Sequence, residues 1–216
     1  MPTATFFRLP EEKRKRLLEA SWAELSQVRV IDMSINHIIA VAHIPRGSFY
    51  QYFTDKEDLI RYLLEDIREY FIGQLRDILT DAEGDLFAFP LMAYDRFMGH
   101  QGGTDPILER FICFLHLNHG IDLHAFIGGP QHFLPDQLWE LIDASKLRRN
   151  EREYADHVFH MACAALALAV METHCGQAFP GAPWEACPGT PREALQIRMD
   201  MLRYGGTADG YKEATT

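Results

Sequence analysis

Between Ser34 and Asp58 the chain reads SINHIIAVAHIPRGSFYQYFTDKED. Ile35, Ile38, Ile39 and Ala42 recur at i, i+3, i+4 and i+7, the spacing of one apolar stripe along a helix, and Ser34 just ahead supplies an N-cap hydroxyl. That helix must stop near His43. Pro45 then occupies a position where a first helical turn tolerates a residue without an N–H, so a second short helix is predicted to start there. It carries Arg46, Gly47, Ser48, Tyr50, Gln51 and Tyr52 outward, while Phe49 and Phe53, four apart, point back into a core. Thr54 with Glu57 three residues on reads as a capping box that opens a third helix at Asp55. Two helices joined by a tight turn, with a polar and aromatic outer face, form the helix-turn-helix arrangement that enters a DNA groove.

These residues resemble the DNA-binding domain of the tetracycline-repressor (TetR) family, whose members share an alanine-rich second helix, a G-[ST]-[FL]-Y-x-[YH]-F core and a following K-x-[DE]-L. Here they stand as IIAVAHIPRGSFYQYF and Lys56-Glu57-Asp58-Leu59, and the match covers roughly residues 8 to 64. One departure lies at the turn, where the family usually has glycine and this chain has His43, a residue type that tolerates positive φ. The resemblance implies that the helix Arg46–Tyr52 lies in the major groove. Arg46 and Ser48 then reach base edges or phosphates, Tyr50 and Tyr52 place hydroxyls at the backbone, and Gln51 completes the face. Gly47 allows close approach to the DNA backbone, Lys56 sits near a phosphate at the start of the long helix, and Ser34 offers a hydroxyl and free N–H groups to another. The resemblance further implies a homodimeric regulator, a repressor released from a palindromic double-stranded operator by a small apolar or amphipathic effector.

The whole chain of 216 residues carries a net charge of −10, which taken alone argues against a polyanionic partner. The distribution answers that objection. Residues 1–53 hold seven Lys/Arg against five Asp/Glu, a balance of +2, which leaves −12 for residues 54–216. The short run Lys13, Arg14, Lys15, Arg16 is first a solvated helix face and only secondarily a steering patch for DNA. Cys113, Cys163, Cys175 and Cys187 form no CxxC pair and no secretory signal precedes them, so a reduced, cytoplasmic protein is expected. The longest apolar run, Met161 to Met171, falls well short of the roughly 20 residues needed to cross a bilayer, so no membrane segment is expected.

The pattern along the chain predicts an all-α fold: a three-helix DNA-binding head over 1–54, a helical effector-binding and dimerisation body over 55–204, and a disordered tail over 205–216. The first helix spans 10–27, with Leu18, Trp22 and Leu25 at helical spacing, and one long amphipathic helix runs from Asp55 to about Thr80. Glycines divide the middle into helical segments at approximately 85–100, 104–119, 121–127 and 133–147, and further helices are expected at 150–176 and 192–204. The middle is rich in aromatics, most of them plain core, yet a ligand-gated regulator needs an apolar cavity with a few polar groups. The candidates for its walls are Phe87, Tyr94, Phe97, Phe111, Phe114, His116, Trp139 and Tyr154, with Asn118 as a further polar contact. No cofactor is expected, only an unidentified small-molecule effector.

The stretch VFHMACAALALAVM, residues 158–171, is apolar on nearly every side, so it has to be covered on nearly every side. Paired with the last helix around a twofold axis, it predicts a four-helix seam between two copies through Val158, Met161, Ala162, Ala165, Leu168, Leu195, Met199 and Leu202. Cys113 with His116, and His157 with His160, are pairs that can chelate, but no tight zinc-type cluster surrounds them and no metal site is assigned. A metal-responsive regulator on the same fold is the first rival reading. The second is a helical enzyme or carrier with a vestigial head, although G-x-S-x-G, P-loop, G-x-G-x-x-G and H-E-x-x-H are all missing, so the chain is not expected to be an enzyme.

Overall fold

The computed structural model describes residues 2–99, 103–118, 132–178 and 189–205, and of 175–178 the backbone alone. Over them the fold is all-α, with ten helices and no strand: α1 Ala4–Phe7, α2 Glu11–Leu25, α3 Ile35–Val41, α4 Arg46–Tyr52, α5 Lys56–Asp81, α6 Phe89–Met98, α7 Pro106–Leu117, α8 Asp136–Trp139, α9 Arg152–Ala178 and α10 Pro191–Tyr204. The helix expected at 121–127 and the tail beyond residue 205 lie outside the described residues.

The chain divides into two compact units, Met1–Tyr70 with Pro106–Phe126, and Phe71–Asp105 with Ile127–Thr216. The boundary expected at residue 54 marks the end of the head's motif; the first unit runs on into α5 and takes in α7. Its core is aromatic. Phe6, from the short helix α1 that the sequence pattern did not show, is fully buried, with its ring 4.9 Å from Phe53 and 5.2 Å from Tyr62 on α5. Leu17 and Leu25 of α2, Ile38 of α3, Phe49 of α4 and Leu59 of α5 are buried completely beside it. Each such side chain contributes about 1.5–3 kcal/mol by leaving water. On α2 Leu17 is fully buried, while its neighbour, the expected Leu18, is half-buried.

The turn between α3 and α4 forms as its sequence requires. His43 takes φ 53°, the left-handed conformation for which the family resemblance leads one to expect glycine, and the Ile44 N–H reaches back to the Ile39 carbonyl at 3.0 Å. The start of α5 differs from the expected Thr54/Glu57 box. Asp55 accepts the Asp58 N–H at 2.7 Å and Asp58 accepts the Thr54 N–H at 3.3 Å. A carboxylate one residue further on is the better partner for the partial positive charge of a helix N-terminus.

In the second unit α9 packs against α6 and α10, and α10 against α6. Ala155, Phe159, Ala162 and Ala169 form the buried side of α9, and Phe89 of α6 stacks on Phe159 with ring centres 5.6 Å apart. Two-pronged arginine–carboxylate pairs fasten α10: Arg192 to Asp95 at 2.6 and 2.7 Å, and Arg198 to Glu172 at 2.6 and 3.2 Å. Thr190 and Glu193 complete a capping box at its start. The segment expected to be helical over 133–147 keeps only α8 and a short 3₁₀ turn at Ala144–Lys146, because Asp143 takes both the N–H and the hydroxyl of Ser145 and bends the backbone there. Similarly α6 begins at Phe89 rather than 85, since the Asp85 carboxylate accepts the N–H groups of Phe87 and Ala88 in a turn.

A backbone crossing lies beside that turn. Gly84, at φ 70°, accepts the Asp143 N–H at 3.1 Å, and a Cβ on it would stand 2.4 Å from the Leu141 carbonyl oxygen. Only glycine fits. By length and composition the stretch Arg152–His174 of α9 is apolar enough to cross a bilayer, which the count of unbroken apolar residues had missed. One side of it is buried by packing on α6 and α10.

Candidate nucleic-acid interface

The amphipathic pattern of α4 sorts its residues cleanly. Phe49 is wholly buried, and opposite it Arg46, Gly47, Tyr50 and Gln51 are exposed, with Ser48 half-buried at the edge. Tyr50 stands edge-on against Phe49, so its ring is braced while nearly half of its surface meets solvent. The Arg46 guanidinium donates to Asn36 Oδ1 of α3 at 2.5 Å, which joins the outer faces of the two helices into one polar surface. Asn36 was not among the candidates. Its signal was available, a polar residue off the apolar stripe in the first turn of α3.

Three expected DNA contacts are differently engaged. Tyr52 is 6% exposed and lies 6.5 Å from the Phe6 ring, so it belongs to the wall of the core, a consequence of α1 folding over that side of α4. Ser34 does cap α3, but its hydroxyl accepts the His37 N–H at 3.3 Å and its own N–H donates to Glu24 Oε1 at 3.0 Å. The backbone N–H is thus engaged, while the hydroxyl keeps its own hydrogen to donate. The Lys56 ammonium donates to the carbonyls of Val30 and Ile31, at 3.4 and 3.1 Å, in the 3₁₀ turn Val30–Asp32.

Glu24 is the residue that sequence reasoning missed most. It sits in the last turn of α2 with 6% of its surface exposed, and its second oxygen contacts the ring Nδ1 of His37. One carboxylate thus ties both the backbone and a side chain of α3 to α2. Elsewhere in the same unit α2, α5 and α7 wall a cleft of about 310 Å³ that includes Arg14, Trp22, Asp66, Tyr70 and Arg110. Burial raises the Asp66 carboxyl above its ordinary range, and burial together with the Asp66 charge raises the Tyr62 phenol.

The candidate effector contacts are spread over both units. Phe111, Phe114 and His116 belong to α7 in the first, with Phe111 stacked on Phe114 at 6.5 Å. Phe87, Tyr94, Phe97, Trp139 and Tyr154 belong to the second. There the Tyr94 hydroxyl bonds Thr173 Oγ1 at 2.8 Å, Phe87 lies under the Arg203 guanidinium at 5.3 Å, and Trp139 under Arg152 at 5.9 Å. The Asn118 side chain accepts the Val30 N–H at 2.9 Å and donates to the Phe114 carbonyl at 2.8 Å, so it is engaged within the first unit.

Of the residues expected in the seam between copies, Val158, Ala162, Leu195 and Met199 are buried within the subunit by the packing of α9, α10 and α6. Met161 and Leu168 face outward, and with Ala165 and Leu202 they border an apolar groove of about 440 Å³ between α9 and α10. Ile197 and Met201, which were not expected there, are also exposed. His160 stacks on Phe133 at 4.4 Å and Asp156 accepts the Leu134 N–H at 2.6 Å, so both already serve the packing of the second unit.

Comparison with known proteins agrees with the head. Residues 17–63 match the model of the bacterial regulatory proteins, tetR family. Among solved structures the chain is similar to a TetR family transcriptional regulator from Chloroflexus aurantiacus J-10-FL, at 24% identity over 95% of this chain and 98% of that one, with a TM-score of 0.47. It is also similar to Escherichia coli NemR in its reduced form, at 17% identity over 94% and 89%, with a TM-score of 0.36. No curated protein matches the chain. Residues 17–63 thus form a helix-turn-helix head of the kind found in the tetR family of bacterial regulatory proteins.

Proposed function

We propose that this regulator is a repressor that binds a palindromic operator as a homodimer and is released by a small apolar or amphipathic effector. The observation that carries the DNA-reading part is α4 itself, a helix with a buried Phe49 and an outer face of Arg46, Gly47, Tyr50 and Gln51 on which no acidic residue falls. An acid-free polar face on a chain of net charge −10 is the surface a polyanion can approach. Pairing is supported by Met161, Leu168, Ile197 and Met201, large apolar side chains exposed on α9 and α10. A twofold seam there would cover all four in both copies. An operator with half-sites about 34–36 Å apart, or a multiple of that, then follows from the need for both α4 helices to meet a major groove.

The effector is argued from chemistry. A body of −12 cannot favour DNA and needs another purpose. Its aromatic residues, Phe87, Tyr94, Phe97, Trp139 and Tyr154 among them, suit an apolar or amphipathic guest. Such a regulator works where the chromosome is, so we place it in the cytoplasm.

Fluorescence anisotropy on a labelled duplex from the DNA just upstream of the chain's own gene tests the reading. The wild type should bind it more tightly than a scrambled duplex, and Arg46→Ala and Tyr50→Ala should each weaken that binding by about 1–3 kcal/mol without changing the thermal melt. Equal affinity for both duplexes, or unchanged affinity in both variants, overturns the assignment of this face. Adding a cell extract should then lower the affinity of the wild type, and a small-molecule fraction without effect removes the effector.

A further inference from the structure

The turn Val30–Asp32, which links α2 to α3, is held from two sides by groups outside the helix-turn-helix. Lys56 at the start of α5 donates to the carbonyls of Val30 and Ile31. Asn118, the residue that follows α7, accepts the Val30 N–H at 2.9 Å, and its amide nitrogen is itself fixed by the Phe114 carbonyl at 2.8 Å. The amide thus joins the C-terminal end of α7 to a turn 88 residues earlier in the chain. Two residues beyond the turn stands Ser34, whose N–H is held by Glu24 and whose hydroxyl caps α3. A shift of the turn is therefore carried straight into the first turn of α3, where Asn36 meets Arg46 of α4.

Among the described residues Asn118 is the partner of the Val30 N–H, and none of the turn's three side chains is buried. Its central side chain, Ile31, is 69% exposed, and the Arg29–Asp32 ion pair across it is solvent-facing on both sides. Such a pair contributes little. A backbone segment without buried side chains keeps its position only through hydrogen bonds, and one to an amide on another helix makes that position depend on where the helix lies.

We infer that Asn118 is a positioning residue for DNA recognition: it holds the Val30–Asp32 turn so that α3 and α4 present Asn36, Arg46 and Tyr50 together only while α7 is seated. The inference rests on the DNA-reading assignment of α4. It goes beyond it by naming the contact through which a helix outside the head sets the head's geometry.

The test uses the full chain and two variants, Asn118→Leu, which removes both hydrogen bonds at similar volume, and Asn118→Asp, which keeps an acceptor for Val30. Amide hydrogen exchange at Val30 is measured without DNA, and anisotropy with the upstream duplex and with a scrambled one. Asn118→Leu should speed Val30 exchange and weaken upstream-duplex binding about five- to tenfold, the size of one neutral hydrogen bond expressed as an equilibrium ratio. The weak, phosphate-driven binding to the scrambled duplex should stay as it was. Asn118→Asp should fall between wild type and Asn118→Leu on both readouts, since its acceptor remains while the bond to Phe114 is lost. A loss of fold alone would lower binding to both duplexes equally, and that result counts against positioning. Unchanged Val30 exchange in Asn118→Leu overturns the clamp, and faster exchange with unchanged upstream-duplex affinity overturns its role in recognition. A wild type that prefers neither duplex takes the DNA reading down with it, while the exchange data still decide the clamp.

Discussion

Gly47 is the residue at which stability and function should separate. A Cβ added there meets nothing within 4 Å, so no contact inside the subunit asks for glycine. Glycine within a helix costs up to about 1 kcal/mol against alanine. Gly47→Ala is therefore expected to raise the melting temperature and yet to weaken operator binding, because the added methyl stands on the face meant for DNA; calorimetry and anisotropy on one preparation check both signs. A variant that is more stable and binds equally well would remove the reason given for this glycine. Asp66 offers the matching case for pH. Its carboxyl is raised by burial, so the ionised form is the one the fold disfavours, and the penalty is present above the folded-state value and fades as the pH falls through it. Asp66→Asn should melt higher than wild type at neutral pH, and that advantage should disappear toward the acid end of the carboxylate range. What could be read from sequence at this scale was the outward set Arg46, Gly47, Tyr50 and Gln51. Tyr52 and Ser34 could not be, since the groups that engage them, Phe6 on α1 and Glu24 on α2, lie far away in sequence and belong to no motif.

Helices were legible where an apolar stripe ran uninterrupted, and their ends were legible where one residue type alone satisfied the backbone. The stripe through Ile38 and Ala42 and the stop at His43 are of this kind. The start of α5 was misread by one residue because Thr54 and Asp55 are both good N-caps in sequence, and only the hydrogen bonds choose. Asp55→Ala should accordingly destabilise the protein by about 1 kcal/mol in a urea titration, whereas Thr54→Ala should leave the midpoint nearly in place. Equal losses would return the cap to Thr54. The region 133–147 failed for a different reason. Its composition permits helix, and a local bond from Asp143 to Ser145 offers the backbone a competing conformation that composition does not register.

For the whole molecule the sequence carried the fold class and the placing of the head at its N-terminus, while the sidedness of α9 was out of reach. All-round apolarity says that a helix is covered, not by what. The structure assigns Val158 and Ala162 to the subunit's own core and leaves Leu168 nearly half exposed. Leu168→Asp should therefore fold as well as wild type while running as a monomer in light scattering at micromolar concentration, and Ala162→Asp should fail to fold, since a charge there has no water and no partner. A dimer that survives Leu168→Asp would place the seam elsewhere. The crossing of Gly84 under residues 141–143 bears on how the chain reaches this state at all. Joining those backbones closes a loop of about sixty residues, an entropic debt that falls due before any contact it enables can form. The crossing should then be absent from the rate-limiting barrier. Gly84→Ala, with its methyl driven against the Leu141 carbonyl, is expected to steepen the loss of native protein in stopped-flow unfolding while refolding proceeds at nearly the wild-type rate, so that the position governs how long the folded chain lasts more than how quickly it arises.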